Sequence, residues 1–398
     1  MEQRDNSREK LTLTCCFLSF FIQAIVINFT PLLFTTFIKD FSVSLDKITL
    51  ITTANFAVQL ATDALSAKYV DKLGYKKSMI FAHMCCFFGL VGLAFLPFVF
   101  KNAYLGIFLS TIIYAVGGGL IEVLTNPIID SVADENKAGT MSLLHSFFCW
   151  GHMFTVLLSA AFFAAFGMKN WRILAVLWAA VPLINGILFI FAPIKAESQH
   201  AKKTSVKNLI KNKSFLIMLL LMICAGASEQ GMSQWASAYA QSGLGISKAA
   251  ADLAGPCAFA LMMGTSRTAY AKLSHRLNMI NVMSASAILC ALCYIAAAAS
   301  PISLPKFLSM ALCGLSVGVM WPGTISLAAE DLSDSGTKMF ALLALAGDIG
   351  CTLGPTSVGF VSSVAGGELK NGMWAGLVFP VILLVCLVIY KGIKREKI

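Results

Sequence analysis

The stretch GGGLIEVLTNPIIDSVADENKAGTMSLLHSFFCWG, residues 117–151, decides how the chain is read. Two apolar segments meet there across a short polar loop. Glu122 sits inside the first segment, with Asn126 and Pro127 one turn further on. The second segment carries His145, with His152 just past its closing Gly151. An ionisable group at membrane depth costs roughly 2.5 kcal/mol or more, so it is retained where it serves function. That argument applies only if the surrounding chain is membrane-spanning.

The chain around it is 58% hydrophobic and 13% charged over 398 residues. A soluble protein carries about a quarter charged residues. A hydrocarbon core about 30 Å thick needs about 20 apolar residues per helix. Twelve such segments are expected, near 11–38, 48–70, 78–100, 104–130, 140–166 and 172–193, then 214–241, 247–271, 279–299, 304–329, 337–362 and 371–391. Period-2 alternation is absent, which argues against a barrel. The fold class expected is therefore all-α and polytopic, with twelve transmembrane helices as two six-helix bundles. Residues 1–194 form the first bundle, 195–213 a cytoplasmic linker and 214–398 the second. The polar start, MEQRDNSREK, and the long apolar run after it predict a retained first helix rather than a cleaved leader.

A weak internal repeat supports the division. GLIEVLTNPIID from Gly119 overlays GVMWPGTISLAA from Gly318, and Leu143–Leu144 overlays Leu342–Leu343 at the same offset. Duplicated halves in a polytopic protein point to a transporter with its site near the midplane.

The net charge of +10 does not call for nucleic acid. Of the 30 Lys and Arg, all but eight fall in the termini and in alternate loops. This bias places both termini and the linker in the cytoplasm of a cell-membrane protein. Most of the 12 cysteines lie in apolar runs, where they act as small hydrophobes. They lack ligand spacing, so no metal, cofactor or disulfide is expected, and no catalytic constellation indicates an enzyme.

SAKYVDKLGYKKSM, residues 66–79, is the most specific local signal. It resembles the signature loop of the major facilitator superfamily. Asp71, Lys72, Gly74, Lys76 and Lys77 match that pattern, with Tyr75 where the pattern has a basic residue. The resemblance implies a gating role for these five, in a charge network between helices. The second copy, RTAYAKLSHRLN from Arg267, has His275 in the place of Asp71.

Glu122 with Asn126–Pro127, then LLHSFFCWG, GASEQGMSQWASAYA at 226–240 and MWPGTISLA at 320–328 resemble the fucose permease-like and glucose permease-like branch. What this implies is proton-coupled uptake of a sugar or similar small polar molecule by alternating access, with Glu122 at the helix 4 acid. Helix 1 contains no acid; Asn28 and Thr30 are its polar residues. The second reading is a proton-coupled multidrug or metabolite exporter of the same fold. GCTLGPTSVG, on the eleventh helix, carries the Gly-Pro pair such exporters place on the fifth.

The intramembrane acids Glu122, Asp348, Glu229 and Asp63 are the proton-coupling candidates, because protonation removes a buried charge. Each has a structural alternative, an acid satisfied by a neighbouring helix. Asn28, Gln59, Asn126, His145, His152, Gln230, Gln234, Trp235 and Trp321 are the substrate-binding candidates. Gln230, Gln234 and Trp235 combine amides with a stacking platform, as a sugar requires. His145 and His152, seven apart, share a helix face. Pro322 is expected to free a carbonyl and kink its helix. Arg267 reads as a cytoplasmic anchor or ion-pair partner, and Asp130, Asp134, Glu135 and Lys137 as loop charges. The partners expected are a small polar solute, H+ and the bilayer, with the protein a monomer.

Overall fold

The computed structural model describes residues 2–133, 136–194, 206–332, 336–366 and 368–396. All regular structure among the described residues is helical. The helices are α1 (Glu2–Asn28), α2 (Phe34–Phe41), α3 (Leu45–Leu73), α4 (Tyr75–Val99), α5 (Ala103–Val132), α6 (Lys137–Phe166) and α7 (Trp171–Phe191). There follow α8 (Val206–Lys211), α9 (Lys213–Ser233), α10 (Ala236–Leu244), α11 (Lys248–Leu273) and α12 (Met279–Ala299). The last are α13 (Ser303–Val317), α14 (Met320–Asp331), α15 (Gly336–Val364), α16 (Leu369–Gly376) and α17 (Val378–Glu396).

Among the described residues, ten stretches are long and apolar enough to cross a membrane. Helices α3 and α11 stand where the second and eighth spans are expected, at 29 and 26 residues, but are not among the ten. Asp63 and Lys68 interrupt α3, and Arg267 and Lys272 interrupt α11.

Four expected spans are each broken in two. The first breaks at Thr30–Leu33, a 3₁₀ turn with Pro31 near its start. The tenth breaks at Gly318–Val319, just before Pro322, and the twelfth at Leu377, just before Pro380. Proline has no N–H to continue the ladder. The seventh breaks at Gln234–Trp235 without a proline. There the Gln230 side-chain oxygen accepts from Ser233 Oγ and Gln234 Nε2, at 3.2 Å each.

The chain divides into two compact units, Met1–Asp134 with Trp150–Ala201, and Glu135–Cys149 with Lys202–Ile398. In the first, α5 is central and packs against α1, α3 and α4. Its three glycines explain how. Successive residues of a helix point about 100° apart. A Cβ on Gly117 would lie 2.5 Å from the Ala82 carbonyl oxygen and Cys86 Sγ of α4. One on Gly119 would lie 3.0 Å from Thr62 Cβ of α3. Gly118, between them, faces Val26 of α1 and the Gln59 side chain of α3. In the second unit α9 packs along α15, and glycines at 350 and 354 meet the α9 backbone.

Helix α3 is inside-out. Its buried face is Ile51, Asn55, Gln59, Thr62, Asp63, Ser66 and Val70, while Leu50, Phe56 and Leu65 are exposed. A polar interior with an apolar exterior suits a helix in lipid that borders a hydrophilic core.

Candidate functional site

Each unit holds a polar core around a buried acid. In the first unit Gly118, Glu122 and Asn126 lie four apart and share one face of α5. Glu122 is 9% exposed. Gln23 Nε2 of α1 donates to Glu122 Oε2 at 2.6 Å. Asn126 turns back on its own helix and donates to the Glu122 backbone carbonyl at 2.8 Å. Gln59 lies over Gly118, one turn before the acid. It is 3% exposed, and its amide nitrogen has no hydrogen-bond partner. Asn55, one turn earlier on the same face, has its side-chain oxygen unpartnered as well. Buried polar groups are nearly always paired, so an unpartnered Asn55 oxygen and Gln59 nitrogen on one stripe set this face apart. Asp63, the next residue of that stripe, is fully buried.

The other candidates of this unit lie apart. Asn28 donates to the Ala24 carbonyl of its own helix at 2.8 Å. His152 is half-buried on α6, next to Gly151, which meets Phe21 and Ala24 of α1. The signature loop is a single residue. Gly74, with φ +82°, joins α3 directly to α4, a backbone that only glycine adopts without strain. Lys72 and Lys77 are exposed and Lys76 half-buried. The side chain of Asp71 lies outside the described residues, as do Asp134 and Glu135.

A further buried network escapes reading from the sequence. His83 Nδ1 lies 2.7 Å from the Met79 carbonyl, and so carries the proton there. Its Nε2 then accepts from Asn185 Nδ2 at 2.9 Å, with Ser19 Oγ at 3.2 Å. This neutral tautomer ties α1, α4 and α7 together.

In the second unit the acid is Glu229 of α9, and its partner is Arg267 of α11. Arg267 is 3% exposed, not an anchor at the membrane edge. Its Nη2 lies 3.3 Å from Glu229 Oε2. Nε donates to the Gly318 carbonyl at 2.7 Å, and Nη1 to the His145 carbonyl at 2.9 Å. Cys149 Sγ is 3.1 Å from Nη1. The Gly318 oxygen is the one that Pro322, four residues on, cannot serve; the guanidinium replaces the missing N–H. His145 contributes its backbone carbonyl here, and His152 falls in the first unit.

Asp348 of α15 is half-buried. Gly347 beside it lies against the Trp321 ring, and Gly350 against the Ile223 carbonyl, so these glycines serve helix packing. Trp321 is buried in that contact. Gln230 is half-buried and Gln234 exposed. Trp235, in the break between α9 and α10, has an indole N–H without a partner. Among the described residues no group of three or more His, Cys, Asp or Glu is arranged to hold a metal.

The profile of the Major Facilitator Superfamily matches residues 14–355. The chain belongs to this superfamily. It is a multi-pass membrane transporter. No curated protein matches the sequence significantly. Among solved structures, the E. coli fucose:proton symporter FucP superposes with a TM-score of 0.76 at 16% identity, over 95% of this chain and 98% of that one. The proton:xylose symporter XylE superposes at 0.80 with 14% identity, over 96% and 95%. The human organic anion transporter TETRAN superposes at 0.75 with 15% identity, over 94% and 99%. At these identities what is shared is the major facilitator fold.

Proposed function

We propose that this major facilitator is a secondary active transporter of twelve membrane helices in two six-helix bundles. It moves a small polar solute, a sugar or sugar derivative, by proton-coupled symport with alternating access. The observation that carries this reading is Glu122, buried beneath Gln23 and one turn from the orphaned amide of Gln59. A carboxyl so placed gains or loses a proton at a cost set by what binds beside it. In this reading Glu122, with Asp63, Glu229 and Asp348, carries the coupling. Gln59, Asn126, Gln230, Gln234, Trp235 and Trp321 contact the solute, with lesser parts for Asn28, His145 and His152. Asp71, Lys72, Gly74, Lys76 and Lys77 gate. The protein works as a monomer in the cell membrane with both termini in the cytoplasm. The sugar:proton symporters among its structural neighbours support this reading.

The test is uptake into proteoliposomes under an imposed proton gradient, across a panel of radiolabelled sugars, sugar acids, polyols and nucleosides. Glu122→Gln abolishes gradient-driven accumulation and keeps counterflow within a few-fold. Full accumulation by this variant would refute the role of Glu122.

Export of a metabolite or drug is the second reading, supported by the organic anion transporter among the neighbours; the Gly354–Pro355 pair on α15, rather than on the fifth span, weakens it. Raised resistance to a drug panel in overexpressing cells supports it.

A further inference from the structure

The guanidinium of Arg267 is positioned by neutral groups and only loosely by its counter-ion. The Gly318 and His145 carbonyls hold it at 2.7 and 2.9 Å. Glu229 touches it through one oxygen at 3.3 Å. A charge-assisted pair is ordinarily 2.7–2.9 Å, and an Arg–carboxylate pair is often bidentate. Glu229 can therefore leave without Arg267 losing its place, and the Nη2 hydrogens it frees can donate to a carboxylate from another molecule, while Nε and Nη1 stay on their carbonyls.

Charge balance sets the terms. Protonating Glu229 alone leaves Arg267 buried without a counter-ion, which is strongly unfavourable. Bringing in an anion alone sets two carboxylates against one guanidinium. A proton on Glu229 together with an anion on Arg267 keeps the core neutral. We infer that Arg267 is the docking point for the carboxylate of an acidic solute, which enters with one proton taken by Glu229. This rests on the symport reading above and narrows its solute to an acidic sugar derivative. The Trp235 indole N–H, six residues after Glu229, is unpartnered and is the candidate for a hydroxyl contact.

The charged and titratable groups against this pair are few. Cys149 of α6 touches Arg267, and His145 lies beside it. Of the other helices packed on α9, α15 brings Asp348 and Cys351, α12 brings Tyr294, whose hydroxyl donates to the Ser228 carbonyl at 2.9 Å, and α13 and α17 carry the thiols Cys313 and Cys386. Helix α14 brings no ionisable side chain before Glu330.

The experiment uses the full chain and D-glucuronate as probe, with D-glucose as the neutral control. Glucuronate raises the melting temperature of the purified protein, more at low pH, and glucose does so far less. Glu229→Gln keeps Arg267 on its two carbonyls. It binds glucuronate about tenfold more tightly at neutral pH, with the pH dependence gone, and Arg267→Gln abolishes the shift. In proteoliposomes gradient-driven uptake of glucuronate moves no net charge, whereas one proton with a neutral sugar carries current. If glucuronate stabilises neither wild type nor Glu229→Gln, the anion site is wrong, whatever uptake shows. If stabilisation is present but a proton gradient drives no uptake of any solute, the symport reading fails and the anion site stands. Current-carrying uptake of glucose without a response to glucuronate sinks the acidic-solute inference alone.

Discussion

Glu122 is held in an apolar helix by an amide from another helix, and the contact can be tested by removing either side. Gln23→Leu leaves the acid without its 2.6 Å donor. Losing one partner of a buried hydrogen bond to a charged group costs about 1.5–3 kcal/mol. The melting temperature of the purified protein therefore falls by a few degrees. Adding Glu122→Leu removes the stranded acid, and most of the loss returns; a double variant as unstable as the single one would show that the amide does not serve the carboxylate. The acids stand out in the sequence because charge in an apolar run is costly. Gln23 does not, since an amide adds no charge. Arg267 misleads for a different reason. It lies six residues before the end of α11 among other basic residues, so by position it reads as an anchor at the membrane edge or an ion-pair partner, and the structure has the second, with Glu229. Only the carbonyl left by Pro322, brought near by folding, shows it to be an interior group.

At the scale of the element, the α5 glycines make a sharper test than the acids, because adjacent positions differ. Gly117→Ala puts a Cβ 2.5 Å from both a carbonyl oxygen and Cys86 Sγ of α4. Backbone must move, and overpacking of this kind costs about 1–3 kcal/mol. Gly118→Ala puts a Cβ at 3.5 Å from Val26, an ordinary contact. We expect the first variant to lose monodisperse protein on gel filtration and to melt earlier, while the second behaves as wild type in both measurements. Equal behaviour would mean that the α4–α5 contact is looser than described. Helix breaks show how far the sequence is legible at this scale. Pro31, Pro322 and Pro380 lie beside theirs, yet Pro97, Pro127, Pro182, Pro256 and Pro355 sit inside unbroken helices, so a proline alone does not mark a break. The break at Gln234–Trp235 has no such residue, and its cause is a side-chain turn around the Gln230 oxygen that spacing does not reveal.

At the scale of the whole molecule, the fold was legible because lipid imposes one rule on many residues at once: long apolar helices with polar groups turned inward. Helix α3 carries that rule furthest. Too polar to count as a span by composition, it still keeps Phe56 and Leu65 outward, with Asn55, Gln59, Thr62 and Ser66 inward. The spacing of four, three and four residues was in the sequence, but average hydropathy conceals direction. A cysteine scan reads direction out. In a background with the native cysteines replaced, Asn55→Cys, Gln59→Cys, Thr62→Cys and Ser66→Cys react with a small charged methanethiosulfonate, while Phe56→Cys and Leu65→Cys react only with a membrane-soluble maleimide. Reactivity then follows the 3.6-residue helical period. Transported solute slows labelling at positions 55 and 59 most, because the Asn55 oxygen and the Gln59 nitrogen lack protein partners and a bound guest covers them. Uniform reactivity around the helix, or protection no greater on the inward positions than on the outward ones, would remove α3 from the solute path and leave its polar stripe as packing between helices.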